Sequence, residues 1–167
     1  MKNLLVLSIL LAGLASCESR KEYTINGTVE NIVNGKIYLV NLHSNAMDTL
    51  DIKSGKFKKI GTVVEPTPFL IFSEDSILPE QKLFFADQGT TNISFVAGNP
   101  STIKINSCRT HKKYEDFTAI IKPILEQSDS LQMLAMSEEI EQGEMQQAAM
   151  QIQQKFENAN LNFIKDK

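Results

Sequence analysis

Cys17 and Cys108 are the only thiols in the 167 residues, and His43 and His111 the only imidazoles. A thiolate is nucleophilic near neutral pH where a hydroxyl is not, so Cys17 can accept a group that a serine would refuse. It closes the oily part of LLAGLASCESRKE, residues 10–22, after two small residues and just before a run of charges. If Cys17 is consumed in this way, Cys108 has no partner in its own chain. Two roles stay open for Cys108: the small buried hydrophobe that a free cysteine usually is, or a reactive thiol. No C-x-x-C occurs, so the chain carries no dithiol redox motif.

His43-Ser44, with Asp48 and Asp51 nearby, gathers a base, a hydroxyl and carboxylates, the ingredients of nucleophilic catalysis. Neither a G-x-S-x-G elbow nor a phosphate loop nor a dinucleotide fingerprint accompanies them. Ordinary loop polarity accounts for the patch. Neither histidine stands at zinc-ligand spacing from other ligands. Glu138, Glu139, Glu141 and Glu144 are too close in sequence to face one point on a helix, and a solvated face is expected. No catalytic residue, metal or cofactor is assigned.

The elements around these residues begin with Lys2 and the apolar run Leu4 to Leu14, the pattern of a secretory leader. A bilayer span needs roughly 20 apolar residues, so the run predicts a cleaved leader over residues 1–16 and not an anchor. Leu14-Ala15-Ser16-Cys17 resembles the bacterial lipobox, whose cysteine sulfur receives diacylglycerol and becomes residue one. One acyl chain binds a membrane only marginally, at about 0.8 kcal/mol per buried methylene; two chains hold firmly. Residues 17–22 are then a lipidated tether, and the expected location is the cell envelope, on the periplasmic or surface face of a bacterial membrane.

Removing 16 residues leaves 151, enough for one domain that buries roughly 68–70% of its unfolded surface. Net charge is −3 and the basic residues are scattered, which argues against nucleic acid as a partner. From Tyr23 the pattern is short alternating strands: Tyr23, Ile25 and Val29, then Lys36 to Val40, Thr49 to Ile52, Phe57 to Val64, Pro68 to Phe72, Lys82 to Ala86, Asn92 to Val96 and Thr102 to Asn106. Asn34-Gly35 predicts a two-residue hairpin between the first two. No ten-residue helix fits between consecutive runs, so the expectation for 23–110 is an antiparallel β-sandwich or partly open barrel.

From His111 the period changes to that of helices, with Phe117, Ile120, Ile121, Ile124 and Leu125 on one face and Met145, Ala148, Ala149, Ile152, Phe156 and Ala159 on a later one. Residues 111–167 are expected to form two or three amphipathic helices packing on the β domain or on each other, weakened at Pro123 and broken near Gly143. Six basic residues face ten acidic ones in this part, against ten and ten in 18–110, so the acidity belongs to the helices.

Ile25-Asn26-Gly27-Thr28-Val29, Gly35-Lys36-Ile37-Tyr38-Leu39, the stretch from Asp51 through Gly55-Lys56-Phe57 to Gly61, and Leu83-Phe84-Phe85 carry a resemblance. Over Tyr23 to about Phe117 the chain resembles a domain of unknown function that precedes the thioredoxin-like domain of bacterial thiol-disulfide lipoproteins; the helical tail to Phe163-Ile164 is similar to that family's linker helices. The family's C-x-x-C has no counterpart in this sequence, so the resemblance implies no catalytic residue here. The expectation is a membrane-anchored, non-catalytic binding or scaffolding module held through Cys17. The alternative is the stand-alone N-terminal half of a thiol-disulfide system, docking a separate thioredoxin-like partner.

Overall fold

The computed structural model describes residues 20–137 and 139–165; Cys17 and Glu138 lie outside them. Eight strands come first: β1 (Lys21–Glu30), β2 (Asn34–Asn41), β3 (Ala46–Lys53), β4 (Lys56–Val63), β5 (Thr67–Phe72), β6 (Lys82–Ala86), β7 (Gly89–Val96) and β8 (Asn99–Asn106). Two helices follow, α1 (Arg109–Met136) and α2 (Gln142–Lys165). The chain divides into two compact units after Cys108.

The strands form one sheet in the order β6-β5-β2-β3-β4-β1-β7-β8, curled into a nearly closed barrel. This is the mainly β architecture with C-terminal helices that the sequence predicts. Alternation explains the inside: Tyr23, Ile25, Gly27 and Val29 of β1, Ile37 and Leu39 of β2, and Phe69 and Ile71 of β5 are all buried, and the residues alternating with them face outward. Each large apolar side chain buried this way contributes about 1.5–3 kcal/mol. Ile77 and Leu78, from the loop joining β5 to β6, complete the core; the Leu78 amide donates to Ser73 Oγ at 2.8 Å and the Gly98 amide to the Ile77 carbonyl at 3.0 Å.

Two expectations are corrected. The sheet is not wholly antiparallel: β1 runs parallel to β7, with Tyr23 opposite Gly89 and Val29 opposite Phe95. The Asn34-Gly35 hairpin does not form either. Both residues lie inside β2, opposite Lys53 and Ile52, and the chain turns at residues 31–33 with Asn31 at φ 63°. A hairpin turn needs its flanking strands to pair, and β1 is occupied by β4 and β7. Gly35 is kept small by packing instead, since a Cβ there would come within 2.6 Å of Ile77 Cδ1. The two-residue turn with both φ values positive is Ser54-Gly55, at 51° and 71°, between Lys53 and Lys56. Beyond that single pair, β3 and β4 part.

In the second unit α1 and α2 pack on each other, with the Phe117 and Phe163 rings 5.0 Å apart. Pro123 does not break α1. The residue whose carbonyl loses its partner, Ala119, is exposed, so water can serve that group. α1 ends at Met136 and α2 begins at Gln142, just ahead of Gly143 in its first turn.

Candidate functional site

Each chemically capable side chain among the described residues has a definite place. Cys108 is half-buried just past β8, its thiol 3.5 Å from the Phe85 carbonyl of β6. Ser107 donates to that same carbonyl at 2.6 Å, and the buried Thr91 hydroxyl meets Ser107 Oγ at 2.7 Å. These bonds draw together the two edges of the sheet, β6 and β8. The position is structural first, with a thiol left partly open beside it.

His43 and Ser44 form the β2–β3 loop, where Asn41 Oδ1 accepts from their two amides at 2.9 and 3.1 Å. Their side chains are exposed. The carboxylates expected beside them separate, because positions 48 and 51 of one strand fall on opposite faces. Asp48 turns inward and pairs with Lys59 at 2.8 Å across the gap where β3 and β4 part. Tyr23 lies nearby, and burial first, then the Asp48 charge, push its hydroxyl above the ordinary tyrosine value. Asp51 turns outward. The nucleophile–base arrangement conceivable from the sequence is therefore not assembled.

Asp51 instead helps line an open cleft of about 490 Å³ with Asn26, Thr28, Lys53, Lys56 and Lys58. Among the described residues none of these three lysines has a carboxylate within ion-pairing distance. Lys56 and Lys58 are spaced by two in a strand, so their common face was legible in sequence; what brings Lys53 to them is the Ser54-Gly55 turn. A second open groove, about 530 Å³, lies between α1 and α2, with Leu131, Leu134, Ile140 and Ile152 along it and Glu126 and Lys155 at its margin. Lys155 donates to Gln127 across this groove at 2.6 Å.

His111, in the first turn of α1, is buried, with the Tyr114 ring centroid at 6.1 Å and a Glu115 oxygen 3.4 Å from Nε2. Burial lowers its affinity for a proton below that of an ordinary histidine, and Glu115 opposes the shift. Glu139, Glu141 and Glu144 are exposed in the inter-helix linker and the first turn of α2. Among the described residues no group of three or more histidine, cysteine or acidic side chains is arranged to hold a metal ion. No described helix is long and apolar enough to cross a membrane.

Gly27 and Gly61, in the stretches that carry the resemblance, prove to be packing positions. Gly27 is opposite Phe57 and Gly61 opposite Tyr23. A Cβ at Gly27 would stand 1.8 Å from the Phe57 ring, and one at Gly61 2.6 Å from the Tyr23 hydroxyl. Residues 23–114, more than half of the chain, match the family model described as a domain of unknown function (DUF4369). No curated protein and no solved structure matches.

Proposed function

The chain belongs to the DUF4369 family, and from that premise we propose that it is a bacterial lipoprotein, tethered to an envelope membrane through Cys17, whose folded part is a non-catalytic binding or scaffolding module. The observation that carries this reading is the apolar run Leu4 to Leu14 ending on Leu14-Ala15-Ser16-Cys17. Two acyl chains on that sulfur hold a body that has no described spanning helix of its own. The binding role draws support from the two open clefts and from the dispersal of His43, Asp48 and Asp51 over different faces. Growing cells with an alkyne-bearing fatty acid tests the tether: wild type should take up label and Cys17→Ser should not. Equal absence of label from both would remove the proposal.

One observation favours a second reading, docking to a separate thioredoxin-like protein: the half-exposed Cys108 thiol at the sheet edge. A thioredoxin-like protein whose resolving cysteine has been removed, and whose remaining sulfur is held as a mixed disulfide with thionitrobenzoate, should be attacked by the Cys108 thiolate of wild type, forming the protein–protein disulfide and releasing thionitrobenzoate, and should give no such product with Cys108→Ala. Equal trapping by both, or by neither, rejects this reading.

A further inference from the structure

Strand register fixes what lies at each end of the barrel. Lys21 opens β1 opposite Val63, and Gly89 opens β7 beside Tyr23, so the tether enters at the end that also holds the β4–β5 and β2–β3 connections. The Ser54-Gly55 turn, with Lys53 and Lys56, is at the other end, where Thr28 pairs with Lys56. The β unit exposes five large apolar side chains among its described residues, and four of them belong to the tether half: Leu42 (43%), Met47 (61%), Ile60 (52%) and Val64 (43%). Only Val33 is in the far half. Scattered exposed apolar groups need no explanation, but a group collected at one end does.

We infer that this end of the barrel, Leu42, Met47, Ile60 and Val64 around the Arg20-Lys21 entry, rests in the interface of a lipid bilayer. The inference rests on lipidation of Cys17. From Cys17 to Lys21 is four residue steps, at most about 14 Å of chain in any conformation. The Lys56 end lies about 23 Å further along β1 at strand rise. The anchor thus keeps the apolar rim near the bilayer, and the lysine cleft can touch it only if the barrel lies flat. Arg20 and Lys21 can place their alkyl stems among the headgroups while their charges stay in water. Glu22, Glu65 and Asp87 at the same end outnumber these two cations by one, so the fit is to a zwitterionic interface and not to an anionic one.

The chain contains no tryptophan, so single substitutions report position directly. Met47→Trp, Leu42→Trp and Val33→Trp, each in the full lipidated chain, are reconstituted into phosphatidylcholine vesicles with brominated acyl chains, and the lipid on Cys17 is verified by mass. Met47→Trp and Leu42→Trp should lose more than about half of their emission, because interfacial side chains reach only about 5–10 Å into the acyl boundary, and Val33→Trp should keep nearly all of it. With the lipid present, no quenching at either rim position, or equal quenching at Val33, overturns the inference and leaves the tether standing. An unmodified Cys17 overturns the tether itself.

Discussion

The β unit gathers seventeen apolar side chains into one buried cluster, whereas in the helical unit Ile124 is the only apolar residue buried to that degree among the described residues, and α2 buries none. Met133, Met136, Met150, Phe156, Leu161 and Ile164 are exposed on the helices. A sheet curled on itself hides one complete face, but a two-helix hairpin hides one seam and leaves the flanks of each apolar stripe in water. The two units therefore respond differently to substitution: the first is a body whose stability is set inside it, and the second is mostly surface.

The sharpest way to test that contrast is to empty the barrel. Phe69→Ala removes a ring stacked 5.7 Å from Phe84 and tilted against Tyr23 at 5.4 Å, and should cost about 3–5 kcal/mol in denaturant titrations followed by a β-unit probe. A loss under 1 kcal/mol would mean that the barrel interior is not the close-packed core described. Gly27→Ala comes next. Its new methyl meets the Phe57 ring, and overpacking of this kind costs about 1–3 kcal/mol; the double variant Gly27→Ala with Phe57→Leu should recover part of the loss. Phe163→Ala, which opens the ring contact with Phe117, should reduce helical circular dichroism and lower the stability of the second unit by about 1–2 kcal/mol, since an aromatic pair adds about 0.5–1.5 kcal/mol beyond its area. An equal loss from the β unit would break the proposed division.

The smallest effect is a pH dependence. The folded His111 binds its proton less readily than the unfolded chain does. Its contribution is complete above the unfolded value, about 6.5, and is lost as pH falls through that value toward the lowered folded one. Melting followed by helical signal should move down between pH 7.5 and 5.5, and His111→Gln should flatten that slope. An unchanged slope in the variant would assign the pH dependence to other groups.

Much of the barrel was legible because it rests on period-two alternation, which belongs to single strands: Lys82 to Ala86 is β6 residue for residue, and Phe57 to Val64 misses β4 by one residue at each end. Strand partnership is a property of the whole sheet, and there the sequence misled. Asn34-Gly35 has the right residues for a hairpin, yet β1 pairs elsewhere, and its parallel partner β7 is about sixty residues away, beyond the range of any local pattern. Pro123 shows the same limit in a helix, since whether a lost hydrogen bond ends α1 depends on the exposure of Ala119. At the candidate site, the shared face of Lys56 and Lys58 followed from spacing. The inward turn of Asp48 toward Lys59 required knowing where β3 and β4 separate.

The most direct measurement is the intact mass of the mature chain extracted from membranes. The polypeptide should begin at Cys17 and carry a diacylglyceryl group on its sulfur. A chain that begins elsewhere, or begins at Cys17 with a bare thiol, would contradict the proposed tether.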